Sequence, residues 1–208
     1  TAGSGGGISI NGGGSFTIEN NTITGNKAKY GGGGHITIDQ SVHAKSLKNN
    51  VIKNNTATVE SGGLYLRLHG SGDTSMNLIA ENTSPTYSGA HVYLTAGGNS
   101  NTFVSNTVAG NTSTSGSGSV VFVSGDGDFS NNNVYSNNAT YAVYLGSDGA
   151  VVNWTGHSLD LVAENNWWGT ADDATIQSLI YDWFDDSSLG TLDYTPFLTE
   201  LKSVVYNH

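Results

Sequence analysis

A short segment recurs along the chain and constrains its fold more than any other feature. It occupies residues 33–38 (GGHITI) and returns at residues 62–68 (GGLYLRL) and 89–94 (GAHVYL). Each copy starts with small residues and continues with alternating apolar and polar residues, which is typical of a strand with one buried face. The chain is therefore predicted to be a repeat protein built from short strands.

The spacing of the inward apolar residues predicts coils of similar length. When the first inward pair of each opening strand is aligned, successive pairs lie 28, 28, 28, 29 and 22 residues apart. The aligned pairs are Ile8/Ile10, Ile36/Ile38, Leu64/Leu66, Val92/Leu94, Val121/Val123 and Val143/Leu145. Similar coils bury their apolar faces by stacking on one another.

Asparagine marks a second repeat within each coil. The motif is Asn, any residue, an aliphatic residue, two further residues and Asn, and it occupies residues 21–26, 50–55, 77–82, 106–111 and 132–137. Asn tolerates left-handed backbone angles, and stacked Asn side chains can hydrogen-bond one another along a ladder. We therefore predict an all-β fold, a right-handed parallel β-helix of about six coils.

The pattern changes towards the C-terminal part of the chain. Thr170 is the predicted N-cap of a short helix, with Asp173 at its third position. Apolar residues then follow at helical spacing, namely Ile176, Leu179, Ile180, Trp183 and Phe184. This helix would cover the open end of the stack, whose strand edges are otherwise exposed. The predicted organisation is β-helix coils in residues 1–169, a capping helix and loop in 170–198, and a tail in 199–208.

Charge and composition disfavour several classes of function. Seven Lys and Arg against seventeen Asp and Glu give a net charge of −10, so neither nucleic acid nor an anionic membrane surface is an expected partner. The absence of Cys excludes disulfides and thiolate chemistry. No apolar run approaches the ~20 residues of a membrane span, and no signal peptide is visible before Thr1. We expect a processed secreted chain or an excised segment, located outside the cell or on its surface.

These motifs resemble a known family across nearly the whole chain. The Gly-Gly-x-Ile strands and the Asn-x-Ile-x-x-Asn segments between them are similar to those of right-handed parallel β-helix repeat proteins of the pectin-lyase-like superfamily, in particular adhesin-like secreted surface proteins. Residues 165–170, 180–182 and 193–198 resemble the C-terminal cap of such proteins. The resemblance implies the fold but not one activity, because the superfamily contains lyases, hydrolases, adhesins and structural proteins.

Outward residues of the opening strands form a predicted row of aromatic side chains. The row is Ser9, Thr37, Tyr65, Tyr93, Phe122 and Tyr144, flanked by Asp39, His35, Arg67, His69 and His91. Sugar rings stack on aromatic faces while their hydroxyls find polar partners. The predicted ligand-binding residues are Tyr65, Tyr93, Phe122, Tyr144, His35, His91 and Arg67. Contact with another protein, or simple stabilisation of neighbouring coils, would use the same residues.

A catalytic role has fewer candidates. The resemblance implies that lyases of this fold use a Lys or Arg base and neutralise a uronate, and here Arg67 and His69 are the secondary candidate pair. Glycosidases of this fold use Asp on adjacent coils, whereas the matching positions here are Asp39, Arg67, Thr95 and Ser124. No pair of carboxylates is predicted there, which disfavours glycoside hydrolysis.

Metal binding and glycosylation remain open in the sequence. Asp126 and Asp128, with Asp73 and Asp148 in the corresponding turns, could offer oxygens to calcium, but Asp-Gly also simply makes turns. No cofactor is predicted, with calcium as the alternative. Six N-glycosylation sequons begin at Asn20, Asn54, Asn82, Asn111, Asn138 and Asn153, although the Asn repeat itself generates this tripeptide.

The function predicted from these features is a non-catalytic extracellular surface module, adhesin-like, that binds a polysaccharide, a glycoprotein surface or another protein through the aromatic row. One alternative is a structural subunit that binds copies of itself in a filament or surface layer, because the Gly-rich residues 2–7 show no cap. The other alternative is a small polysaccharide lyase or hydrolase.

Overall fold

The computed structural model describes residues 2–38, 44–95, 101–115, 119–125, 127–146 and 161–203. Nearly all of its regular structure is β-strand, and the strands pair in parallel. The strands are β1 (Ala2–Ser4), β2 (Ile8–Gly12), β3 (Phe16–Glu19), β4 (Thr22–Thr24), β5 (Lys27–Tyr30), β6 (Gly34–Ile38), β7 (Lys45–Lys48), β8 (Val51–Lys53), β9 (Thr56–Glu60), β10 (Leu64–His69), β11 (Gly72–Ser75), β12 (Leu78–Ala80), β13 (Thr83–Ser84), β14 (Ala90–Thr95), β15 (Asn101–Val104), β16 (Thr107–Ala109), β17 (Thr112–Ser113), β18 (Ser119–Gly125), β19 (Asn133–Tyr135), β20 (Tyr141–Leu145), β21 (Leu161–Val162), β22 (Ile180–Tyr181) and β23 (Leu192–Asp193), and the helix is α1 (Asp173–Ser178).

Four sheets run along the stack, and each takes one strand from successive coils. The seven-stranded sheet has the order β2-β6-β10-β14-β18-β20-β22. The others are β3-β7-β11-β15, β4-β8-β12-β16-β19 and β1-β5-β9-β13-β17, while β21 pairs with β23. The result is a parallel β-solenoid of about five turns, slightly fewer than the six predicted. Within the described ranges, no helix has the length and apolar character needed to cross a membrane.

Apolar residues of the seven-stranded sheet stack in register inside the solenoid. One inward column contains Ile10, Ile36, Leu66, Val92, Val123 and Leu145. The predicted alignment of the first four coil-to-coil steps is therefore wrong by two residues. The reason is that Gly34 and Ala90, predicted to be entry residues, occupy inward positions themselves, opposite Leu64.

The close packing around Gly34 explains this register. Gly34 is buried, and a Cβ atom on it would lie 3.2 Å from Cδ1 of Leu64. A small residue thus fills the inward position beside a large one in the next coil. The true intervals along the inward column are 26, 30, 26, 31 and 22 residues, so the coils differ in length more than the sequence alignment suggests.

Asparagine side chains form two hydrogen-bonded ladders, as predicted. The first contains Asn21, Asn50, Asn77, Asn106, Asn132 and Asn166, and the second contains Asn26, Asn55, Asn82, Asn111 and Asn137. Asn77 donates its backbone N–H and one Nδ2–H to Oδ1 of Asn106, both at 3.0 Å. Its second Nδ2 hydrogen is donated to the Leu47 carbonyl at 2.8 Å. Each interior Asn therefore links three successive coils.

The left-handed backbone angles fall one residue before each ladder asparagine. The positive-φ residues are Asn20, Asn49, Met76, Ser105, Asn131 and Asn165 before the first ladder, and Gly25, Asn54, Glu81, Gly110 and Ser136 before the second. The expectation that the repeated Asn itself adopts these angles is thus wrong. The ladder positions need the amide group, whereas the preceding positions tolerate several residue types.

The C-terminal segment departs from the predicted cap. Helix α1 begins after Asp172, whose side chain accepts a hydrogen bond from the Thr175 N–H at 2.9 Å, so the predicted N-cap Thr170 is wrong. The chain then returns to a strand, and β22 pairs with β20 in the seven-stranded sheet. Trp183 and Phe184 consequently lie exposed instead of packing on a helical face. Ile176 and Ile180 are buried as predicted.

We predict that an interior ladder asparagine is far more important for stability than the terminal one. Replacing Asn77 by Ala leaves two donors of Asn50 and acceptors on Leu47 and Asn106 without their partner, so the free energy of unfolding should fall by about 3 kcal/mol. Asn21→Ala is the matched control, because Asn21 is exposed and should lose less than about 1 kcal/mol. Denaturant unfolding followed by circular dichroism measures both, and equal midpoints would contradict this role.

Candidate ligand-binding face

The seven-stranded sheet presents two outward rows of side chains. Strand register places Ser9, His35, Tyr65, His91, Phe122, Tyr144 and Tyr181 in one row, which we term the aromatic row. The neighbouring row contains Asn11, Thr37, Arg67, Tyr93 and Ser124. The predicted row mixed the two, because it inherited the two-residue error in alignment. Tyr93 therefore lies beside Arg67, and the side chain of Phe122 falls outside the described part of the structure.

Rings in the aromatic row stack on one another along the solenoid axis. The centroids of His35 and Tyr65 are 4.4 Å apart with nearly parallel planes, and those of Tyr144 and Tyr181 are also 4.4 Å apart. Tyr65 and His91 meet edge to face at 4.8 Å. Because neighbouring coils occupy the ring faces, the edges and polar tips of the rings are what the row offers to a ligand.

Burial varies along the row and separates it into accessible and covered parts. His91 is only 5% exposed, and it contacts the rings of Tyr87 at 4.9 Å and Tyr93 at 4.6 Å. Tyr93 is itself 9% exposed. His35, Tyr65, Tyr144 and Tyr181 are half-buried, as is Tyr141, whose ring lies 5.1 Å from that of Tyr181. The parts that a ligand can reach are thus His35 with Tyr65, and Tyr144 with Tyr141 and Tyr181.

Electrostatics keep the aromatic row uncharged near neutral pH. Burial, with a contribution from nearby His35, lowers the pKa of His91 to about 3, and burial lowers the pKa of His35 as well. The 3.8 Å approach of His91 Nδ1 to Glu60 Oε1 is therefore not an ion pair at neutral pH. Burial and the neighbouring Tyr181 raise the pKa of Tyr144 to about 12, so its hydroxyl stays protonated. A neutral, hydroxyl-bearing surface results.

Arg67 and His69, the secondary catalytic candidates, do lie together. Arg67 Nη2 is 3.5 Å from His69 Nε2, and the guanidinium carbon lies 5.8 Å from the centre of the Tyr93 ring. The buried Lys45 donates from Nζ to the His69 carbonyl at 2.7 Å. Among the residues that the structure describes, no carboxylate lies within ion-pair distance of Arg67. The arrangement provides cationic and aromatic groups beside the aromatic row.

The calcium candidates do not gather into a site within the described ranges. Asp73 forms an ion pair with Lys48 at 2.6 Å, and Asp128 accepts a hydrogen bond from the Ser130 N–H at 2.9 Å. Asp126 and Asp148 lie outside the described residues. In the described part of the chain, no three His, Asp or Glu side chains come close enough to hold a metal ion.

The structure separates the six sequons by exposure. Asn82 and Asn111 are fully buried, and their Nδ2 atoms donate within the second ladder, which removes them as glycan acceptors in the folded chain. Asn20, Asn54 and Asn138 are exposed. Asn153 lies outside the described residues.

Sequence reasoning missed two groups on this face. Tyr181 extends the aromatic row, and the similarity of Ile180-Tyr181 to the alternating Val143-Tyr144 could have indicated it. Glu60 approaches His91 from the end of β9, and no local sequence signal links these two residues.

Comparison with known proteins identifies the family. The family model described as "Right handed beta helix region" matches residues 1–166, most of the 208-residue chain. No curated protein and no solved structure matches the chain.

We predict that His91 makes the fold sensitive to acid. The unfolded chain binds a proton at His91 below a pKa of about 6.5, whereas the folded chain keeps it neutral until about pH 3. The contribution of His91 to stability is therefore complete above pH 6.5 and is lost as the pH falls towards 3, reaching about 3 kcal/mol by pH 4. Denaturant unfolding at pH 7 and pH 4 should show a pH dependence smaller by that amount in His91→Phe. Equal pH dependence in both proteins would contradict the prediction.

Proposed function

We propose, since the chain belongs to the right-handed β-helix family, that it is a non-catalytic, adhesin-like surface module that binds a neutral polysaccharide along the aromatic row. The observation that carries this proposal is the continuous outward row of rings on the seven-stranded sheet. A linear ligand lying along the solenoid axis would meet equivalent side chains at each coil, about 4.8 Å apart.

The stacked rings favour binding because they are already ordered. His35 and Tyr65 hold each other at 4.4 Å, as do Tyr144 and Tyr181, so little side-chain freedom is lost when a ligand binds. Tyrosine combines a rigid apolar body with a hydroxyl that both donates and accepts hydrogen bonds. Sugar hydroxyls are suitable partners for such tips, and the sugar C–H groups can rest on the exposed ring edges.

Charge favours a neutral ligand over an anionic one. The chain carries a net charge of −10, so a polyanion is repelled at long range. The aromatic row is itself uncharged near neutral pH, since His35 and His91 are neutral and Tyr144 is protonated. No cofactor is needed for this activity. The proposed location is outside the cell or on its surface, where polysaccharides are accessible.

Binding is supported more strongly than bond cleavage. Lys45 and Lys48 are engaged by the His69 carbonyl and by Asp73, which leaves Arg67 as the nearest cation to the aromatic row. A lyase would need that cation together with a base at the reacting carbon, and the structure brings only His69 to it.

Removal of two hydroxyl groups tests the proposal. Replacing Tyr65 and Tyr144 together by Phe keeps the stacked rings but removes two hydrogen-bonding tips, so affinity for a bound neutral polysaccharide should fall at least about tenfold. Affinity electrophoresis in gels containing neutral or acidic polysaccharides measures this.

Tyr135→Phe is the matched control, because Tyr135 lies on β19 in a different sheet, and its affinity should equal that of the wild type. Two results would overturn the proposal. One is the absence of retardation by every neutral polysaccharide, and the other is equal retardation of the double variant and the wild type.

A further inference from the structure

Charge is segregated along the solenoid axis. Residues 1–70 contain six of the seven basic side chains but only three of the seventeen acidic ones, whereas residues 71–208 contain one basic and fourteen acidic side chains. The first part therefore has a net charge of +3 and the second of −13. In a solenoid, the order of coils follows the order of the chain, so opposite charges accumulate towards opposite ends.

An exposed basic surface lies on the first coil. Lys27 and Lys29 alternate with the buried Ala28 on β5, and both lysines are exposed. Tyr30 follows them and is 37% exposed. Neither lysine has a carboxylate within ion-pair distance among the residues described.

An exposed aromatic and acidic turn lies near the other end. Trp183 and Phe184 are 48% and 68% exposed, and their rings are nearly perpendicular with centroids 5.3 Å apart. Asp185 and Asp186 follow directly. In the described ranges, no Lys or Arg forms an ion pair with these carboxylates. Two large aromatic side chains and two carboxylates are thus presented together to solvent.

This turn is held in a fixed shape by the buried Asp182. Its carboxylate accepts hydrogen bonds from the Phe184 N–H at 3.1 Å and the Leu192 N–H at 2.9 Å. Its carbonyl accepts from the N–H groups of Asp185 and Asp186, both at 2.9 Å. A turn that is well bonded yet displays apolar rings is a candidate interaction site.

The turn has the chemistry to bind an ammonium group. Aromatic faces attract cations, and carboxylates form charge-assisted hydrogen bonds with them. Lys27 and Lys29 supply such cations, and Tyr30 supplies an additional aromatic surface beside them. The two surfaces are therefore complementary in charge and in apolar character.

We propose that Lys27 and Lys29 of one copy bind the turn formed by Trp183, Phe184, Asp185 and Asp186 of a second copy. The two surfaces differ and lie in distant coils, so the contact is heterologous and extends into open head-to-tail chains. Salt screens the contact, since the Debye length falls from about 10 Å at 0.1 M to about 3 Å at 1 M. The contact uses no residue of the aromatic row and is independent of polysaccharide binding.

Two double variants test the contact by sedimentation velocity across a range of protein concentrations. The wild type should form species larger than a dimer at low salt and dissociate at high salt. Lys27→Glu with Lys29→Glu should lose association at least tenfold, as should Trp183→Ala with Phe184→Ala, while Lys27→Arg with Lys29→Arg should retain it. Circular dichroism confirms that each variant is folded.

Mixing the two defective variants is the decisive measurement. Each retains the surface that the other lacks, so an equimolar mixture should form a one-to-one dimer that does not grow further. A wild type that stays monomeric at low salt would overturn the proposal. Wild-type association in either defective variant alone, or a mixture that remains monomeric, would overturn it as well.

Discussion

Hydrogen bonding by buried asparagine amides is the constraint on which the stacked coils depend. A bend between two strands leaves backbone N–H and C=O groups without a ladder partner, and such groups are costly to bury. The amide of an interior residue such as Asn77 offers two donors and an acceptor, and it satisfies groups in the coils before and after it. The same bend can therefore be repeated through the stack although the coils differ in length.

Separation of the bends from the outer surface leaves the surface free to vary. Inward positions take whichever apolar or small residue fills the space, as Gly34 does beside Leu64. Outward positions such as His35 and Tyr65 contribute little to the core, and they stack instead on their equivalents in neighbouring coils. A row of similar side chains with a regular spacing follows from the architecture itself, and its chemistry depends on the residues placed there.

The fold was predictable because its two periods are written in the sequence, whereas the register and the site were predictable only in part. Alternating residues and the Asn motif are local patterns, so they predicted the strands and both ladders. Gly34 resembled an entry residue because nothing local shows which large side chain packs against it. Tyr181 appeared helical because a six-residue helix precedes it, and its place beside Tyr144 depends on pairing with a distant strand. Glu60 and His91 meet for the same non-local reason.

The asparagine ladders also give the molecule an electrical direction. Every interior Asn donates its N–H and Nδ2–H towards the following coil, so the amide dipoles point the same way in both columns. Aligned amide dipoles add up, as they do along an α-helix, with partial positive charge at the donor end. Here the donor end faces the acidic C-terminal coils, and the acceptor end faces the basic ones. The charged side chains thus offset the field of the bonds that hold the coils together.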